Sequence, residues 1–106
     1  MKGVRAIKID SSFRLGSLVE FEVVFDEAPT AVYIKIYDSF TTVRVNNQAL
    51  TGDSGGLFFT YVYQNEDATN FGEYLAIIKA TYPSGDVYSE YTFEMQDPNP
   101  YARGGF

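Results

Sequence analysis

The chain has no cysteine, no histidine and no tryptophan. Without cysteine there are no disulfides, no thiolate nucleophile and no iron–sulfur ligation. Without cysteine and histidine together, ordinary zinc sites and the usual haem ligands are excluded, as are a Ser-His-Asp triad and a histidine general base. No cofactor is expected. The missing cysteines fit a reducing compartment and equally fit export, because a well-packed core needs no covalent staple. Basic residues are also few: eight Lys and Arg against fourteen Asp and Glu, a net charge of −6. They are scattered from Lys2 to Arg103 without a cluster. Phosphate binding rewards grouped cations, so nucleic acid is not an expected partner, and the negative balance reads as a solubility feature. No apolar run reaches the roughly 18 residues of a membrane span, and no h-region of signal-peptide form is present, so membrane insertion is not expected. Met1 is followed directly by a strand-like segment. That fits either a complete small reading frame or a methionine added to an excised domain.

The 106 residues suit one domain, and a composition that is 45% hydrophobic and 17% aromatic supplies ample apolar mass for a core. The dominant signal is period two. Val19, Phe21, Val23 and Phe25 alternate with Glu20 and Glu22, and Val32, Ile34 and Ile36 alternate with Tyr33, Lys35 and Tyr37. Such rows point to opposite faces of a strand, one toward a core and one toward solvent. Seven strands follow, near 4–9, 17–25, 31–37, 41–45, 57–64, 73–82 and 86–95, with 48–51 as a possible continuation of the fourth into a short hairpin. Leu15-Gly16-Ser17, Glu27-Ala28-Pro29-Thr30 and the Gly-rich run at 52–56 separate strands. Asn46-Asn47 fits a tight hairpin, because Asn tolerates positive φ. Pro83-Ser84-Gly85 fits a turn with Pro second and Gly fourth. No window carries a helical stripe, and no internal repeat exists. Seven short strands at about ten-residue spacing predict an all-β, seven-stranded antiparallel sandwich over residues 1–96. Residues 97–106, with two Pro and two Gly, read as a flexible tail.

Asn70-Phe71-Gly72-Glu73-Tyr74-Leu75-Ala76 resembles the D-x-G-x-Y-x-C motif that opens a late strand in immunoglobulin-like domains. Asn70 stands for the Asp, and Ala76 takes the Cys position. The resemblance implies a tyrosine corner: the Tyr74 ring buried, its hydroxyl bonded to backbone in the preceding turn. It also implies a sandwich without the inter-sheet disulfide or the strand-C tryptophan of antibody domains. A second resemblance runs along most of the chain. Phe13-Arg14-Leu15-Gly16, Ile34-Lys35-Ile36-Tyr37-Asp38, Gly56-Leu57-Phe58-Phe59-Thr60-Tyr61, Gly72-Glu73-Tyr74, Ala80-Thr81 and Glu90-Tyr91-Thr92-Phe93 follow in an order similar to small immunoglobulin-like proteins of tailed-phage structural genes. It is also similar to macroglobulin-type and other bacterial surface modules. That order implies a virion-associated assembly or adhesion protein, or an extracellular surface domain, and brings no catalytic residues.

Candidate sites are few. Asp53 and Ser54, or Glu66, Asp67 and Asn70, supply hard oxygen ligands, but no D-x-D-x-D spacing accompanies them and such residues favour turns anyway. Fourteen acids guarantee chance carboxylate pairs, yet none is set in an environment that would split its pKa values, and a Ser–Lys pair is not completed by any further group. The chain is therefore read as a non-enzyme. Nine tyrosines invite a carbohydrate-binding reading, against the plain fact that tyrosine suits strands. The stronger signal is two-sided hydrophobicity. If Tyr74, Ala76, Ile78 and Ala80 face the core, Leu75 and Ile77 face outward, where Tyr33, Tyr37 and Tyr88 of neighbouring strands join them. A contiguous apolar patch marks a partner site, a protein or a second copy. The competing reading is a solvated sheet face, kept soluble by Lys35, Lys79, Glu90 and the tyrosine hydroxyls.

Overall fold

The strong alternation of the sequence becomes a two-layer structure because each long strand has one row of side chains to hide. The computed structural model describes residues 4–8, 12–14, 18–64 and 71–96. These form nine strands and no helix: β1 (Val4–Lys8), β2 (Ser12–Arg14), β3 (Leu18–Phe25), β4 (Ala31–Tyr37), β5 (Val43–Ala49), β6 (Thr51–Gly52), β7 (Phe58–Gln64), β8 (Gly72–Tyr82) and β9 (Gly85–Gln96). One sheet has the order β1-β3-β7-β6 and the other β2-β9-β8-β4-β5. The expected seven-stranded antiparallel sandwich is present in the seven long strands. Two short additions extend it: β2, which pairs parallel with β9, and the two-residue β6. All other pairings are antiparallel.

The core lies between the inward rows. Val19, Phe21 and Val23 of β3 face Val32, Ile34 and Ile36 of β4, and Tyr74, Ala76 and Ile78 of β8, all essentially inaccessible to water. One aromatic pair bridges the layers and two brace neighbouring strands within a layer. Phe21 meets Phe93 edge-on with centroids 5.8 Å apart, Phe25 meets Phe59 edge-on at 5.6 Å, and Tyr74 lies 5.6 Å from Phe93, the geometry that ring quadrupoles favour. Tyr82, at the far end of β8, donates its hydroxyl to the carbonyl of Glu27 at 2.9 Å. It ties the β3–β4 turn down, a tether that the sequence did not suggest.

The β8–β9 hairpin turns through Pro83-Ser84 as expected, and its register is unbroken from Tyr82↔Gly85 to Gly72↔Met95. Gly72 opens β8 at φ +125, and a Cβ there would sit 2.9 Å from that of Ser39, so the G-x-Y glycine answers both to backbone conformation and to a close approach. Asn46-Asn47 does not make a hairpin. Both lie inside β5, where the register with β4 slips from Ile34↔Gln48 to Ile36↔Val45. Asn47 takes φ +49, so the tolerance of Asn for positive φ serves a β-bulge. After β5 the chain does not fold back into a hairpin either. Leu50 is buried, its N–H bonded to the Val32 carbonyl at 2.9 Å, and β6 then joins the opposite sheet. The spacer at 15–17, the polar run at 65–70 and the tail at 97–106 lie outside the described residues, as does the turn expected to receive the Tyr74 hydroxyl.

Candidate interaction surface

The unbroken register of β8 decides which side chains leave the core. Tyr74, Ala76, Ile78 and Ala80 are buried, while Leu75, Ile77 and Lys79 between them are half-exposed on the outer face of the five-stranded sheet. Cross-strand pairing arranges that face in rows. Tyr88 of β9, Lys79 of β8 and Tyr33 of β4 form one, Glu90, Ile77 and Lys35 the next, and Thr92, Leu75 and Tyr37 the third. Partners within a row stand about 5 Å apart, so the rows make a continuous surface. The five residues singled out from the sequence are thus on one face. Tyr33, Tyr37, Ile77 and Tyr88 border a shallow concavity of about 380 Å³. Leu75 and Tyr37 border a second, about 490 Å³, closed by the β4–β5 turn.

The lysines lie over the rings. Lys79 Nζ is 4.9 Å from the centroid of Tyr33, and Lys35 Nζ is 5.3 Å from that of Tyr37. Each ammonium stays near solvent while its methylenes and the ring shield one another. Tyr88 has no such cover among these contacts and is 63% exposed. Both lysines of this face sit toward β4, since Lys79 leans from β8 across Tyr33. The outward residues of β9 include Asp86, Glu90 and Glu94. The face therefore has a basic half and an acidic half on either side of β8.

One end of this face is fixed by a polar group that the sequence reading did not single out. Asp38 is buried at the end of β4. Its Oδ1 accepts from the N–H groups of Phe40 and Thr42, both at 2.9 Å, and its Oδ2 accepts from Arg44 Nε at 3.0 Å. Backbone bonds between Asp38 and Thr42 and between Thr41 and Asp38 close the turn. Thr41 is held at φ +62, unusual for a β-branched residue. Ser39 Oγ donates to the Phe71 carbonyl at 2.9 Å, joining the turn to the start of β8. Phe40 at the tip is 71% exposed, and Val43 and Phe71 are also exposed, extending the apolar surface beyond the expected five residues. The sequence signal for this turn was Asp38 followed by Ser39, Thr41 and Thr42 around Phe40, an Asx-type cap.

Behind this turn, the Tyr63 hydroxyl is pushed up to about 12, first by burial and then by Tyr74 and Asp38 nearby. Tyr74 is raised too, first by burial and then by Asp38. These groups stay neutral and structural at ordinary pH. Among the described residues, no three acidic side chains converge as a metal site would require. Among the same residues, no helix is long and apolar enough to cross a membrane.

The outer face of the four-stranded sheet is the alternative surface. It exposes Leu18 and Val62, half open to solvent, beside Glu20 and Glu22 of β3, and Lys8 of β1 holds the register position opposite Glu22.

No protein-family model matches the chain, and no curated protein matches it in sequence. Among solved structures, the fold is similar to the crystal structure of CopC from Methylosinus trichosporium OB3b, with a TM-score of 0.64 over 92% of this chain and 95% of that one, at 16% identity. At that identity the likeness carries the fold alone: the chain is an all-β sandwich that spans nearly the whole of its structural neighbour.

Proposed function

We propose that the chain is a non-enzymatic interaction module that binds a protein partner through the outer face of its five-stranded sheet. The observation that carries this is the row structure of β9, β8 and β4. Leu75 and Ile77 occupy the centre of a sheet face where Thr or Lys would meet every structural need, and tyrosines frame them on both sides. Aliphatic centres with aromatic, hydroxyl-bearing surrounds are what protein interfaces select. An assembly or adhesion role fits such a face. A virion setting is supported by the order of strand and turn motifs, and a cell-surface setting by the same motifs.

A carbohydrate-binding role is the second reading, favoured by the open ring of Tyr88. Against it, Lys79 and Lys35 lie over Tyr33 and Tyr37, where a sugar ring would stack. A glycan array separates the two: binding lost on Tyr88→Ala would favour the sugar.

The double substitution Leu75→Thr with Ile77→Thr tests the primary reading. Both sites are half-exposed, and Thr suits strands, so the melting temperature should change by only a few degrees, while association through the face is lost. A variant that no longer folds as a monomer would show that these residues hold the domain together and would overturn the proposal.

A further inference from the structure

We infer that the occupant of this face is a second copy of the chain, docked about a two-fold axis that runs along β8. The inference rests on the reading of the face as a docking surface and names its partner.

Charge decides the arrangement. β9 presents Asp86, Glu90 and Glu94 on this face with no base among its outward residues. On the other side of β8, Lys35 stands on β4 and Lys79 leans over Tyr33 of the same strand. A two-fold axis along β8, in the plane between two such faces, lays β9 of one copy on β4 of the other. Glu90 then meets the basic half formed by Lys35 and Lys79, twice over by symmetry, and Tyr88 meets Tyr33. Ile77 and Leu75, on the axis, meet their own counterparts, as do Glu73 at the open end of β8 and Lys79, whose ammonium is drawn off the axis over Tyr33. A contact of this kind is isologous, closed and self-complementary. The other in-plane two-fold, running across the strands through the Glu90–Ile77–Lys35 row, stacks Glu90 on Glu90 and Lys35 on Lys35, which like-charge repulsion opposes.

The size of the face sets the strength. Four long strands about 4.8 Å apart, paired over about seven residues of ~3.3 Å each, span roughly 450 Å². That is near half of the ~800 Å² per partner of a standard interface. The dimer is therefore weak in dilute solution and becomes effective when copies are held close, as in a repeated assembly.

Sedimentation of the full chain up to millimolar concentration, for the parent, Glu90→Lys, Lys35→Glu and the combined charge swap, tests this directly. The parent should dimerise reversibly. Each single reversal should weaken the dimer by about tenfold or more, and the combined swap should recover most of the loss, because it exchanges the two charges of one pair. A parent that stays monomeric at the highest concentration overturns the second copy as occupant and leaves the docking face to another protein. A dimer that ignores both charge reversals but is lost in Leu75→Thr with Ile77→Thr overturns the two-fold arrangement while keeping the face. A dimer that survives all these variants overturns the inference and the choice of face together.

Discussion

At the scale of single residues, Asp38 organises more of this molecule than any other polar side chain described. It is a buried carboxylate that satisfies two backbone amides and one guanidinium, and through them it sets the path of the turn that closes one end of the apolar face. Asp38→Ala should cost about 3–5 kcal/mol, since it leaves Arg44 and two N–H groups without their acceptor. Asp38→Asn keeps an oxygen for the amides and should cost clearly less; denaturant titration of both variants checks the order. Tyr63 makes a second residue-scale expectation. Its hydroxyl is raised from 10.0 to about 12 in the folded chain, so between those values the unfolded chain sheds a proton that the folded chain keeps. Stability is fully present below pH 10 and falls as pH rises toward 12. Alkaline unfolding followed by tyrosinate absorbance should show buried tyrosines ionising together with loss of structure. In Tyr63→Phe the alkaline fall should be shallower. An equally steep fall in that variant would assign the effect to other groups.

At the scale of elements, most strands were legible because their periodicity is strict. β4 was placed at 31–37 and is found there, β3, β7 and β8 differ from expectation by a residue at one end, and β9 by a residue at each end. The failures share a cause. β5 has no alternation to read: its outward side is an edge, its inward contacts are few, and a bulge breaks its parity at Asn46-Asn47. A rule that links paired Asn to hairpins cannot distinguish a turn between strands from a kink inside one, since both need a residue at positive φ. β2 was missed because three residues carry no period, and its parallel pairing with β9 joins segments some eighty residues apart. The bulge gives a clean test. Asn47→Gly should leave stability nearly unchanged, because Gly takes φ +49 freely. Asn47→Val should cost about 1–2 kcal/mol through backbone strain alone. Equal midpoints for the two variants in thermal melts would mean that the bulge relaxes without cost.

At the scale of the whole molecule, the candidate surface was readable from parity once Tyr74 was assigned to the core: an inward Tyr74 fixes Leu75 and Ile77 outward along an unbroken strand. The charge division of the same face was not readable. It depends on which strands flank β8 and on two lysine conformations, neither of which a linear pattern contains. The Asp38 turn with its exposed Phe40 escaped for a similar reason, since its partners are Arg44 on β5 and Phe71 just before β8. The most direct measurement of the central claim, that the five-stranded sheet carries the working face, is a concentration series of amide and methyl NMR spectra on the isotope-labelled chain. Resonances of Tyr33, Leu75, Ile77 and Tyr88 should move together with rising concentration while those of Glu20 and Val62 stay still. Movement centred on Leu18 and Val62, with the β9–β8–β4 face unchanged, would contradict it.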